Sequence, residues 1–305
     1  PSNGQLTLKW EYSDKLNFTQ PDNSRNIRTD VGNVVYSFTE SNANNITDPL
    51  YPRLSANAPA AITPQQIVRF IRNPNLNEPF YTGLPSPPLR QSKAADILHS
   101  SAVIVSKSPS PPEWGGSTPQ ARADFSTWQQ TTLNRPARVL FGANDGMLHA
   151  LYERDTNLAC GAVDAGTETD PNCPNGKEAW AWVPTLMLDN MYKNVQGYNP
   201  GVDGQISVAD VCDGPSGDAA NCDDNDWFTV AIGSLREGGR ALFAMQLDNS
   251  GGSNFLWDFY DPNLGNTWST PAIGRVRYGS DDRFIAVFGA GKACTSGRSC
   301  GSCSV

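Results

Sequence analysis

Short apolar runs separated by clusters of Gly, Asn, Asp and Pro dominate this chain, and long helical periods are scarce. The clearest run is Arg138-Val-Leu-Phe-Gly-Ala-Asn-Asp-Gly-Met-Leu-His-Ala-Leu151. Val139, Leu140 and Phe141 suit a buried strand, and Met147, Leu148 and Leu151 restart the pattern. Between them, Asn144-Asp145-Gly146 offers residues able to take the positive φ angles that a two-residue hairpin turn needs. The unit recurs. Trp227–Gly233 predicts a strand, Ser234–Gly239 a connection and Arg240–Asp248 the returning strand. A third, partial copy starts at Arg283 and runs to Gly291. Repeated two-strand units predict blades of a propeller or the sheets of a sandwich.

Further strands are predicted at Gln5–Trp10, Asn33–Phe38, Ala102–Ser106, Lys177–Val183, Gln205–Asp210, Asn254–Phe259 and Gly274–Tyr278, the last followed by a turn at Gly279–Asp282. Period two places Trp180 and Trp182 on one face of their strand and Ala181 and Val183 on the other. A helix should start at Thr63-Pro64, where Thr caps and Pro suits the first helical position, and end near Asn73-Pro74. A second short helix is expected around Ala121–Leu133, and Pro184–Leu188 reads as a turn with helical character. The fold class is therefore mainly β, with a loop-rich, partly helical N-terminal segment (1–95) leading into a propeller-like domain (96–305).

Composition narrows the function classes. With 18% charged residues, 27 Gly and 23 Pro, many turns joining strands are favoured over helices. Eight Trp residues and 10% aromatics argue against disorder. Trp180, Trp182, Trp257 and Trp268 are expected to fill the space between blades, and Trp114 and Trp128 to pack in a core. A formal net charge of −8 without a Lys/Arg-rich run argues against nucleic acid as a partner. No apolar run approaches the roughly 20 residues of a membrane-spanning helix. The polar start at Pro1 carries no secretory leader, which in a processed chain does not imply the cytoplasm.

Seven cysteines, Cys160, Cys173, Cys212, Cys222, Cys294, Cys300 and Cys303, add a compartment. The first four form short pairs in loops with little core, where a disulfide is the natural staple; Cys160–Cys173 and Cys212–Cys222 are the expected pairs. Free thiols or a metal site are the rival reading, but the one CxxC, Cys300–Cys303, has no second CxxC or His pair to complete a tetrahedral site. Stapled loops imply an oxidising compartment. The loop tethered by Cys212 and Cys222 holds Asp213, Asp218, Asp223, Asp224, Asn225 and Asp226, whose oxygens make calcium the candidate ion, although the spacing is not that of an EF-hand. A solvated acidic loop is the competing reading.

Catalysis finds little support. The chain has two histidines, His99 in a strand lead-in and His149 on a strand, where packing or a backbone hydrogen bond is its expected role. No nucleophile elbow accompanies either. The glycine pairs lack the Lys-Ser/Thr of a phosphate cradle.

Taken in order, these segments resemble the PilY-type, type IV pilus tip-associated adhesins. Arg138–Leu151 resembles that family's opening blade motif, and Asp96–Val103 its lead-in strand. Glu178-Ala-Trp-Ala-Trp-Val-Pro184, Val202-Asp-Gly-Gln-Ile-Ser-Val-Ala-Asp210, Trp227–Asp248 and Trp268–Gly274 follow in the family's order. The resemblance runs from about residue 64 to 291. It implies quinoprotein-like blades, a non-enzymatic extracellular adhesin at a pilus tip, minor pilins as partners in pilus assembly, and a host or solid surface as ligand. The family's late Asp-rich calcium loop has no counterpart here. Three copies fall short of the roughly 4–8 blades of a closed ring, so a partial or modified propeller is expected. A quinoprotein-like enzyme and a structural filament subunit remain the alternatives.

Overall fold

A computed structural model describes Tyr12 and residues 24–72, 92–108, 110–154 and 176–291. The expected strand at Gln5–Trp10 and the cysteines at 160, 173, 294, 300 and 303 lie outside these residues.

Three sheets form. In the first, β3 (Val103–Val105), β4 (Ala137–Ala143), β5 (Met147–Arg154) and β6 (Glu178–Val183) make an antiparallel meander. The second is the meander β7 (Ile206–Cys212), β8 (Trp227–Ser234), β9 (Ala241–Leu247) and β10 (Ser253–Tyr260). The third is the pair β11 (Ala272–Tyr278) and β12 (Asp281–Val287). The first strands of the three sheets are neighbours: β7 touches β3 on one side and β11 on the other. Two four-stranded blades and a two-stranded third therefore radiate from a shared inner edge, the arrangement of a β-propeller. The three sequence copies occupy equivalent places, starting on β4, β8 and β12, the second strand of each sheet.

The N-terminal segment does not stand apart from the first blade. β1 (Ile27–Val31) pairs in parallel with β6, and β2 (Val34–Ser37) pairs antiparallel with β1, extending that sheet to six strands. The Asn33–Phe38 expectation matches β2. β1 was not expected, because Arg28 and Asp30 interrupt its apolar pattern. The helix at Pro64–Arg72 begins where expected. Thr63 Oγ1 accepts from Gln66 N–H at 3.2 Å while Thr63 N–H donates to Gln66 Oε1 at 2.8 Å, a reciprocal cap. A second helix, Pro119–Thr131, starts two residues earlier than expected, capped by Thr118.

The main core lies between the first and second blades and under the N-terminal helices. Leu140, Leu148, Ala150, Trp180 and Trp182 meet Ala231, Phe243, Met245 and Leu247 there. Trp182 stacks on Phe255 of β10, with ring centroids 5.3 Å apart. Burying such large rings is the main stabilising contribution at this seam. Between the second blade and the β11–β12 pair, Val230, Ile232, Leu242 and Ala244 pack against Ile273, Phe284, Ala286 and Phe288. Trp114 and Trp128 lie in a further cluster with Phe125 and Trp227.

Four expectations need correction. The turn at Asn144-Asp145-Gly146 has three residues, and only Gly146 has positive φ, at 88°. Gly146 N–H closes on Ala143 O at 3.1 Å, so a type I turn followed by a left-handed glycine fits, and Asn144 and Asp145 need no special backbone. The Ala102–Ser106 run reads as a buried strand, but β3 is not wholly buried, since Ile104 alternates outward and is exposed. Trp257 and Trp268 do not fill a gap between blades; both are exposed, and Trp268 precedes β11 rather than lying on a strand. Asp281 and Asp282 begin β12 instead of forming the turn.

Candidate functional site

The segments that lead into the inner strands and the turns between second and third strands all gather at one end of the blades. Backbone hydrogen bonds lace them together. Asn144 N–H donates to Asp96 O (3.1 Å), Val202 N–H to Ala143 O (3.0 Å), Gly204 N–H to Ser234 O (3.1 Å) and Thr267 N–H to Gly239 O (3.2 Å). Residues 201–205 thus run between the turn of the first blade and that of the second. Two glycines make the approach possible. A Cβ on Gly142 would lie 2.1 Å from Val202 O, and one on Gly238 would lie 1.8 Å from Gly201 O. Both obstacles are backbone, so neither can step aside.

Asp203 is the hub of this end. Its carboxylate is buried, and it accepts from the His99 backbone N–H (3.2 Å), contacts His99 Nδ1 (2.7 Å) and accepts from Arg236 Nη1 (3.1 Å). Arg236 sits in the β8–β9 connection with φ at 49°, a left-handed conformation that costs a non-glycine residue free energy. Its guanidinium lies 4.2 Å from the centre of the Trp268 ring. Trp268 keeps 49% of its surface exposed. A buried carboxylate thereby fixes an arginine, which fixes one face of a solvent-facing indole. Nearby, Tyr198 is exposed and approaches Asn144 Nδ2 at 3.5 Å. Burial and the charges of Asp96, Asp203 and Glu237 raise its phenol above the usual tyrosine range. The face therefore offers aromatic rings, a held cation and carboxylates on rigid turns, which suits recognition.

Below this face, His149 belongs to a charged network in the first blade and not to simple packing. Its Nε2 contacts Asp145 Oδ1 (3.1 Å) and its Nδ1 contacts Glu178 Oε1 (2.8 Å); all three side chains are wholly buried. Glu178 also accepts from Arg25 Nε (2.8 Å) and Nη2 (2.9 Å), while Arg25 Nη1 donates to the carbonyls of Ile71 and Arg72 at the end of their helix. Tyr12 O–H reaches His149 Nδ1 at 3.0 Å. Burial disfavours the imidazolium, but Asp145 and Glu178 outweigh it and raise His149 to about 9. Burial likewise disfavours the Glu178 anion, and Arg25 and His149 overcome this, holding its carboxyl well below the usual range. The two cations and two anions compensate one another, so the cluster holds the N-terminal segment to the blade. Nothing in the sequence spacing joins Arg25 to Glu178.

The acidic loop is organised differently from a metal cage. Cys212 and Cys222 are joined by a disulfide, with Cα atoms 6.3 Å apart, against Phe125, Trp128 and Trp227. Asp218 accepts from the backbone of Ala220 and Asp282 and from Asn221 Nδ2. Asp223 Oδ1 accepts from Asn225 N–H, and Asp226 Oδ2 from Asp223 N–H. Asp224 Oδ1 accepts from Asn225 Nδ2, and the Asp213 backbone N–H donates to Asp226 O. Several of these carboxylates cap turns, and among the described residues no three His, Cys, Asp or Glu side chains converge on a metal position.

Comparison with known proteins gives one consistent answer. The family model described as the PilY1 beta-propeller domain matches residues 94–302, more than two-thirds of the chain. The type IV pilus biogenesis factor PilY1 of Pseudomonas aeruginosa is 31% identical over 205 residues, covering 62% of this chain and 14% of that protein. A PilY1 homolog of Xylella fastidiosa is 27% identical over 262 residues, covering 84% of this chain and 18% of that protein. The chain thus spans less than a fifth of the length of the curated relatives it matches. The crystal structure of the Pseudomonas aeruginosa PilY1 C-terminal domain is similar at 26% identity with a TM-score of 0.42, over 62% of this chain and 31% of that one. The chain belongs to the PilY1 β-propeller family.

Proposed function

We propose that this chain is the propeller region of a type IV pilus biogenesis factor that works outside the cell as a non-enzymatic adhesin. It engages its ligand through the turn-and-connector face, with the blades as a rigid support. The role in pilus biogenesis is supported by the names of the relatives in Pseudomonas aeruginosa and Xylella fastidiosa. Among the described residues no helix is long and apolar enough to cross a membrane, and the Cys212–Cys222 bridge suits an oxidising compartment. In this reading residues 1–95 form the lead-in, 96–305 the propeller, minor pilins of the tip complex are assembly partners, and a host or solid surface is the ligand. The observation that carries the adhesive role is the Asp203–Arg236–Trp268 arrangement, in which an exposed ring is held in one orientation by a buried acid. Preorganised aromatic and arginine side chains are the groups that dominate binding interfaces.

The test is a binding assay with purified chain. Trp268→Ala should weaken binding to immobilised minor pilins or to a cell or abiotic surface by about tenfold or more with little change in melting temperature, and Arg236→Ala, which leaves the buried Asp203 without its arginine, should weaken binding as much and also lower the melting temperature. Equal binding by the parent and both variants to every such surface would reject the assignment of this face.

A further inference from the structure

We propose that Asp30, Thr185 and Asp258 form a proton-operated latch: it holds the N-terminal hairpin and the first blade against the outer strand of the second blade when Asp258 carries a proton, and it loosens that seam when Asp258 does not.

Three elements that are remote in sequence meet here. Asp30 lies on β1, Thr185 follows β6, and Asp258 lies on β10. Thr185 N–H donates to Asp258 Oδ2 at 3.0 Å. The Thr185 hydroxyl donates to the Asp30 carbonyl at 2.9 Å and also contacts Asp30 Oδ1. The remaining oxygen, Asp258 Oδ1, is buried and accepts no hydrogen bond. An ionised Asp258 therefore places an unsatisfied anionic oxygen in the seam, close enough to Asp30 to feel its charge. A proton on Oδ1 removes the buried negative charge and with it the repulsion from Asp30.

The charged groups around the pair do not cancel this repulsion. Arg53, from the helix Leu50–Ser55, is already held by both oxygens of Asp189, at 2.6 and 3.1 Å. Arg28, the cation on β1, is directed to Ser253 O and Oγ at the far end of β10. Phe243, opposite Asp258 on β9, does not titrate. In keeping with this geometry, burial first and the charge of Asp30 second raise Asp258 to about 7, and burial raises Asp30 as well. The sign follows. Asp258 binds its proton more tightly folded than unfolded, so its stabilising contribution is complete below the ordinary carboxyl range and is lost as pH rises through about 7.

The test compares the parent chain with Asp258→Asn, whose amide mimics the protonated acid. In the parent, hydrogen exchange of β1 and β10, corrected for intrinsic base catalysis, should quicken about thirtyfold between roughly pH 5.5 and 8, because pH 5.5 lies about 1.5 units below the Asp258 midpoint. In Asp258→Asn that pH dependence should vanish, and its melting temperature should gain on the parent's as pH rises. Carboxyl NMR titration of the parent should place the Asp258 midpoint near 7, and Asp30→Asn should lower it. A parent midpoint in the ordinary carboxylate range, or equal pH dependence in parent and Asp258→Asn, would overturn the latch. The NMR titration decides the question even if Asp258→Asn fails to fold.

Discussion

His149 and Glu178 lie on neighbouring strands with Nδ1 2.8 Å from Oε1, and neither side chain touches solvent. Because Arg25 shares the same carboxylate at 2.8 Å, Glu178 compensates two cations at once. Glu178→Ala would leave both without their shared anion. It should cost about 3–5 kcal/mol in denaturant unfolding, the range for breaking a buried ion pair on one side. A loss below roughly 1 kcal/mol would show that water or a rearranged Asp145 replaces it.

The same pair sets a pH window. His149 is raised from 6.5 to about 9, so its stabilising contribution is complete below 6.5 and lost as pH rises through 9. The shift corresponds to about 3 kcal/mol at most. Glu178 is shifted the opposite way, so its contribution is present above the ordinary carboxyl range and lost as pH falls into strong acid. Chemical unfolding between roughly pH 8 and 10, above the Asp258 midpoint, should show the alkaline loss, and a His149→Gln variant should not.

The glycines of the seam give a sharp contrast. Gly142→Ala and Gly238→Ala would drive a methyl into a backbone carbonyl and force the two blade turns apart. Each should lower stability by about 2–4 kcal/mol. Gly274→Ala, with nothing within 4 Å of its Cβ, should be tolerated. Melting curves of the three variants measured together check the difference.

Replacing Cys212 and Cys222 by Ser should cost about 2–3 kcal/mol, from the loop of ten-residue separation that the bridge closes. The loss should appear as a lower melting temperature under non-reducing conditions and disappear once the parent is reduced.

Carboxylates at Asp218, Asp223 and Asp226 already serve as turn acceptors. Adding a chelator should therefore leave the melting temperature unchanged. A fall of several degrees, restored by calcium, would mean that this loop rearranges around an ion.

Much of the fold was legible because local chemistry repeats. Apolar triplets such as Val139–Phe141, followed by glycine-containing turns, mark the second and third strands of the first two sheets. Thr63-Pro64 marks a helix start for the same local reason. The functional face was less legible. Asp203 and Trp268 sit within segments whose family likeness was visible, but their link through Arg236 spans two connectors. The exposure of Trp257 and Trp268 is not legible in sequence because a tryptophan's burial depends on what lies opposite, not on its own neighbours in the chain. β1 escaped notice because its pairing with β6 is parallel and spans about 150 residues, and its charged Arg28 and Asp30 find partners only in the folded chain.

The sequence by itself determined the repeating two-strand unit, the approximate places of its turns and the family, since each depends on residues adjacent in the chain. Only the tertiary structure decided which charges are buried together. Arg25 with Glu178, Asp203 with Arg236, and Asp30 with Asp258 are brought close by strand pairing and blade packing. Once water is excluded, the energy of such groups is set by distance and partner and not by order along the polypeptide.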